Sequence, residues 1–181
     1  SRGRREEAEP LYLDTLRIIR RVLGENHPHT ISAMNNLALL YRGQERYAEA
    51  EPLYLEALQR SRAVLGEQHT STLIAMMNLG VLRAEMGRYE EAEPLLAEAI
   101  AGARKVFPDG HAFTGVALTK YGGCLMRLKR YDDAETALKE SFQMLNVIHG
   151  GEHRRTIRAV NALIAREVDV GNLASTTTAI A

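Results

Sequence analysis

Pro10, Pro52 and Pro94 stand 42 residues apart, inside three closely matching strings: EAEPLYLDTL, EAEPLYLEAL and EAEPLLAEAI. Other columns keep the same step: Ala8, Ala50, Ala92 and Ala134; His27, His69, His111 and His153; Thr30, Thr72, Thr114 and Thr156. Arg4 to Glu45 and Arg46 to Gly87 agree at about half of their positions. A repeat of this length restricts the chain to a stacked array, in which each unit buries its apolar face against the next.

Each unit contains two helical patterns. The first begins after Thr30, whose hydroxyl suits an N-cap, and carries Met34, Leu37, Ala38 and Tyr41, the i, i+3, i+4, i+7 spacing of one apolar face. The second opens near Tyr47, carries Ala50, Leu53, Tyr54, Ala57, Leu58 and Ser61, and stops at Gly66, a residue suited to a helix C-terminus. No window alternates with period two. The expected fold is all-α, a right-handed α-solenoid of antiparallel helix pairs, with helices near 4–23, 30–45, 47–65, 72–87, 89–106, 114–129, 131–149 and 154–170. The array is expected over 1–171, followed by a degenerate or foreign tail at 172–181 in which Thr176 replaces the repeat alanine.

This register places Pro52 at the end of the first turn of its helix, where most amide donors lack an intrahelical partner. Ala38, Gly80 and Gly122 form one small-residue column, and Ala50, Ala92 and Ala134 another. Residues without bulk let paired helices approach closely.

Composition narrows the function. Lys plus Arg equals Asp plus Glu at 23 each, with no basic stripe, so neither nucleic acid nor a membrane surface is an expected partner. The longest apolar runs fall well short of the ~20 residues of a membrane span. Cys124 is the only cysteine, which excludes an internal disulfide and suggests a reducing, cytoplasmic setting. The chain starts in mid-unit, which suggests a segment of something longer.

The spacing of Leu37, Ala38, Tyr41, Tyr47, Ala50, Tyr54 and Ala57 resembles the tetratricopeptide repeat. The 42-residue period, with VLGEQHTST and NNLALLYRGQERYAEAEPLY, is similar to the kinesin light chain subclass. Departures are Arg83 and Leu125 at the Tyr41 column, and VFPDG at Val106 to Gly110 in place of VLGE.

Catalysis finds no support. The four histidines in register would lie about 10 Å or more apart in a stacked array, whereas zinc draws its nitrogen ligands to within ~2.1 Å, so they are expected to bond neighbouring turns. Cys124 falls on a helix with no histidine placed beside it, and the EAE triplets suit the dipole of a first turn rather than paired acid–base work. Phosphate-loop, HExxH and GxSxG patterns are absent. No enzyme activity, metal or cofactor is expected.

With Met34 at the origin of a helical wheel, Ser32, Asn36, Leu39 and Gly43 fall about 140° to 200° away, opposite the face packed on the partner helix. The later units contribute Ile74, Asn78, Val81 and Glu85, then Val116, Lys120, Gly123 and Arg127, then Arg158, Ala162, Ala165 and Asp169. Stacking is expected to gather these into a concave wall, and the resemblance implies that the wall binds an extended segment of a partner, with Asn36 and Asn78 as its amides. Lys120, Arg127 and Arg158 suggest apolar anchors joined by an acidic group on that ligand. Alternative readings are a self-associating scaffold, in which Leu11 and Leu16 of an uncapped first helix pair with another copy, and a regulatory module of a larger protein.

Overall fold

The computed structural model describes the backbone of residues 2–149 and the side chains of 8–147. The expected helix at 154–170, including Arg158, Ala162, Ala165 and Asp169, lies outside the described residues, as do His153 and the tail 172–181. Seven helices and no strand occur among the described residues: α1 (Arg2–Leu23), α2 (Pro28–Gly43), α3 (Tyr47–Leu65), α4 (Thr70–Glu85), α5 (Tyr89–Val106), α6 (Ala112–Arg127) and α7 (Tyr131–His149). The chain divides into two compact units, 1–106 and 107–181. In the first, α2 packs on α3 and α4 on α5, with α1 against α2 and α3 against α4; in the second, α6 packs on α7.

The helices α2, α4 and α6 start two residues earlier than expected, because threonine is not the cap. His27, His69 and His111 hold extended backbone at the N-cap, and each accepts at Nδ1 the N–H two residues on, at 3.1 Å. Thr30 and Thr72 lie inside the helix, buried, and donate their hydroxyls to the carbonyls of Gly24 and Gly66 at 2.7 and 2.8 Å. The histidine column is thus a capping column. The same three helices also end two residues early, since Glu45, Gly87 and Lys129 each turn the chain at positive φ, 62°, 78° and 59°.

The prolines break nothing. Helices α1, α3 and α5 run unbroken through Pro10, Pro52 and Pro94, all of them exposed. Pro52 does sit deeper than expected: Ala50 already donates its N–H to the Arg46 carbonyl at 3.1 Å, so Pro52 belongs to the second turn. What it forfeits is the one bond its nitrogen would have made to the Ala48 carbonyl.

The small columns line the seam within each pair. Ala38, Ala50, Ala92 and Ala134 are fully buried. A Cβ on Gly80 would lie 2.9 Å from Leu96 Cγ and 3.3 Å from the Ala92 carbonyl, and one on Gly122 would lie 2.6 Å from Leu138 Cγ. Each pair therefore closes on a bare α-carbon or a methyl. Tyr54, at the column of Leu96 and Leu138, is buried where the smallest residue of that seam is Ala38.

Two ion-pair ladders, invisible in the wheel, register successive pairs of the first unit. Arg46 binds Glu9 at 2.5 Å and Glu49 at 2.6 Å, and one repeat later Arg88 binds Glu51 at 2.8 Å and Glu91 at 2.6 Å. Arg20 binds Glu56 and Glu25 at 3.2 and 3.1 Å, as Arg62 binds Glu98 and Glu67 at 2.8 and 3.0 Å. The EAE triplets therefore divide their labour. Glu49 and Glu91 face solvent in the first turn and are held below the usual carboxylate range by hydrogen bonds from Arg46 and Arg88. Glu9 and Glu51 reach across to the following pair. Exposed pairs add little stability each, but their spacing permits only one register. Arg83, the departure from Tyr41, joins the first ladder through Glu51 at 3.2 Å, while Tyr41 instead lies under the Arg46 guanidinium, 4.3 Å from its ring centre. Leu16 of α1, expected to be available for pairing with another copy, is 4% exposed.

Candidate functional site

The surface to test is the side of α2 and α4 away from their partner helices. The two helices lie next to each other, joined by Asn78 Nδ2 donating to Asn35 Oδ1 at 3.0 Å and by Arg42 Nε 3.5 Å from Glu85. Ser32, Asn36, Leu39, Gly43 and Glu85 are exposed, and Ile74 is half-buried.

Asn78 and Val81 are placed differently from the expected wall: they are only 8% and 5% exposed. The helical wheel locates them opposite α5, but the flank of α2 that carries Asn35 and Arg42 covers them. Asn78 serves as a polar tie between neighbouring first helices, satisfied by Asn35. Asn36 and Leu39 occupy the same two columns one repeat earlier, and there they remain exposed, Leu39 at 44%. Position in the array, rather than residue type, separates the two outcomes.

The covering flank also brings in groups that the wheel omitted. Asn35 and Arg42 are half-buried on that flank, and Met77 is half-buried on α4. The Tyr54 hydroxyl is buried near Arg42 and Glu85; burial pushes its pKa up to about 12, with the Arg42 guanidinium pulling the other way and Glu85 adding to the rise. The signal for Asn35 was present in the sequence, since Asn35 and Asn36 are adjacent and only one of them can point along a given face.

In the second unit, the same side of α6 presents half-buried Val116 and Lys120 and exposed Gly123 and Arg127. Lys120 and Arg127 already interact with neighbouring groups. An acidic ligand group would have to exchange with those neighbours. Cys124 is buried, and among the described residues no three His, Cys, Asp or Glu side chains gather as metal ligands. Among them, too, no helix is long and apolar enough to cross a membrane.

Comparison with known proteins agrees with this geometry. Sequence profiles of the tetratricopeptide repeat match residues 1–60, 30–105 and 77–141. None of the curated proteins matches the chain. Among solved structures, a Podosopora anserina protein described as a kinesin light chain with nearly identical TPR-like repeats is similar in two forms. One, carrying a substitution, gives a TM-score of 0.81 and the other 0.79, each at 19% identity over 98% of this chain and 84% of that one. BtubC (BKLC) from P. vanneervenii is similar with a TM-score of 0.71 at 22% identity, over 82% of this chain and 59% of that one. These likenesses fix the fold as an all-α repeat solenoid.

Proposed function

The chain belongs to the tetratricopeptide repeat family, whose repeats generally mediate protein–protein interaction, and from that premise we propose that the α2–α4 surface binds an extended segment of a partner protein without catalysing a reaction on it. The observation that supports this is the mixed character of the surface. Ile74 and Met77 leave apolar area accessible on α4. The Asn35–Asn78 pair and the Arg42–Glu85 pair hold amide and charged groups at fixed places beside it. A peptide laid across the two helices would bury apolar side chains on Ile74 and Met77 while its backbone meets the remaining hydrogen-bonding capacity of Asn35 and Ser32.

In this proposal Ser32, Ile74 and Glu85, expected to line the wall, face the bound segment. Asn78 and Val81 support the wall from beneath, and Val116, Lys120 and Arg127 offer a comparable surface on the second unit. The test is selection from a random peptide library on the full chain, followed by titration of the selected peptides. Ile74→Asp combined with Met77→Asp should weaken them at least tenfold with the helical circular dichroism unchanged. Undiminished binding to that variant would overturn the assignment.

A further inference from the structure

His27, His69 and His111 hold the same place in three repeats and make the same bond. With the backbone extended at the N-cap, Nδ1 of each ring accepts the N–H of His29, Ser71 or Phe113 at 3.1 Å. An imidazole accepts at Nδ1 only while that nitrogen carries no proton, so each capping ring is neutral with its hydrogen on Nε2. The commoner caps, serine, threonine and asparagine, stay unchanged through mild acid. A histidine cap is lost where histidine charges, in general around ~6.5. The imidazolium both ceases to accept and sets a positive charge at the positive end of the helix dipole. His69 and His111 are exposed and His27 is half-buried, so solvent protons reach all three.

The carboxylates of the first two loops are already paired. Glu25 is bound by Arg20 of α1 at 3.1 Å and by Arg60 of α3 at 3.4 Å, and Arg60 also donates to Asn26 Oδ1 at 2.8 Å. Glu67 is bound by Arg62 of α3 at 3.0 Å, which in turn binds Glu98 of α5. The His29 ring lies 5.1 Å from that of His27, a second group that charges with the same sign. The third loop carries Asp109, Phe107 stacked on His111, and Gly110, which Met144 of α7 approaches.

The second helices start on different chemistry. Arg46, the N-cap of α3, makes no side-chain cap bond. The first turns of α3, α5 and α7 hold instead the pairs Arg46–Glu49, Arg88–Glu91 and Arg130–Asp133, at 2.6, 2.6 and 2.8 Å. Hydrogen bonds from the arginines keep Glu49 and Glu91 below the usual carboxylate range, so these turns do not change charge where histidine does.

We propose that the histidine caps make the first helix of each pair responsive to pH: neutral rings hold the starts of α2, α4 and α6, and acidification through the histidine range releases all three. The contribution of the caps is complete while the rings are neutral and disappears as pH falls. The bonds from Thr30 and Thr72 to the Gly24 and Gly66 carbonyls do not involve the rings, so acid frays the starts of α2 and α4 without unfolding them. Ser32 and Ile74 follow their caps by five residues, and their N–H groups bond first-turn carbonyls. The loosening therefore reaches the N-terminal end of the α2–α4 surface and weakens binding there. That consequence rests on this surface being the ligand site, whereas the response of the helices does not.

The response is read by amide hydrogen exchange on the full chain without peptide, at about pH 7.5 and about pH 5.5, as protection factors. Protection over residues 29–31, 71–73 and 113–115 should fall about fivefold or more at the lower pH, the equivalent of one N-cap, while Ala50 and Ala92 stay as they were. Asparagine caps as well and does not titrate, so His27→Asn, His69→Asn and His111→Asn combined should keep protection at both pH values. His29→Asn should leave the acid response intact. Nitrogen-15 shifts of the unaltered chain should show the three rings as Nε2–H tautomers at the higher pH. Equal protection at both pH values, an acid response that survives in the triple variant, or Nδ1–H tautomers would overturn the proposal. Histidine-free peptides selected on the chain should bind at least threefold more weakly at the lower pH, and equally at both to the triple variant. Equal binding to the unaltered chain would overturn the link to the surface. An exchange response in a chain that binds no peptide at either pH would overturn the α2–α4 reading and support the switch.

Discussion

The pair α4–α5 and the pair α6–α7 follow one column scheme with different chemistry. In the first, Gly80 meets Leu96 with clearances of 2.9 and 3.1 Å for an added Cβ; in the second, Gly122 meets Leu138 with 2.6 and 2.7 Å. The first buries Ala99, while the second has Ser141 at that column, donating to the Gly115 carbonyl at 2.6 Å and paired with Thr119 at 2.7 Å. Thr72 donates to the Gly66 carbonyl, but the VFPDG loop puts Pro108 at the column of Gly66, and the Thr114 hydroxyl is buried without a partner. There the loop turns instead through Gly110, at φ 89°, and Phe107 stacks on His111 at 4.3 Å. The repeat thus conserves shape at the seam and exchanges hydrogen bonding around it. Small residues are required wherever two backbones close up, whereas a polar group is tolerated if its own pair can satisfy it.

The largest effect should come from adding bulk at the seam. Ala92→Leu, at a position with 0% exposure, forces α4 and α5 apart and should cost about 3 kcal/mol, seen as a clear drop in the thermal or denaturant midpoint. An unchanged transition would remove the close approach from the account of the fold.

Next, Gly80→Ala and Gly122→Ala rank the two pairs. Alanine gains about 1 kcal/mol of helix propensity over glycine at either site, and the clash works against that gain. The tighter Gly122 should show a net loss of about 1 to 2 kcal/mol, and Gly80 a smaller one, because Leu96 has more room to yield. The reverse order in urea titrations would break the comparison.

Thr72→Val and Thr114→Val sharpen it on the polar side. The first leaves the Gly66 carbonyl without its hydroxyl donor and should cost about 1 kcal/mol. The second removes a buried hydroxyl that has no partner and should be neutral or slightly stabilising. Equal losses at the two sites would show that the Thr114 hydroxyl does find a partner.

The smallest effect lies in the turns. Glu45 and Lys129 hold positive φ at a column where Gly87 pays no Cβ penalty, so Glu45→Gly should raise stability by up to about 1 kcal/mol, and Lys129→Gly should do the same. Gly87→Ala should lower it. A destabilised Glu45→Gly would mean that unfolded-state entropy outweighs the relief of strain.

Much of the architecture was readable before any coordinate. The starts of α3, α5 and α7 fall where the repeat of Tyr47, Tyr89 and Tyr131 puts them, because apolar periodicity and small-residue columns are local patterns that survive stacking unchanged. The caps are not legible in the same way, because histidine is a rarer cap than threonine, and a hydroxyl near a helix start satisfies the same pattern whether it caps or points back to a glycine carbonyl. The ladders from Arg46 and Arg88 are not visible in the sequence, because each pairs a residue with one 37 positions away, a partnership that only stacking creates.

The order of the helices, the seam between paired helices and the absence of catalytic motifs are written in the forty-two-residue pattern itself, since each depends on residues close in sequence or identical from unit to unit. Exposure is not written there. Asn36 and Asn78, or Leu39 and Val81, are the same residue type or nearly so in the same column, and only the presence of α2 over α4 buries one of each and leaves the other in water. A helical wheel knows a helix's own partner but not its neighbour along the array, and it is the neighbour that decides which part of the wall can receive a ligand.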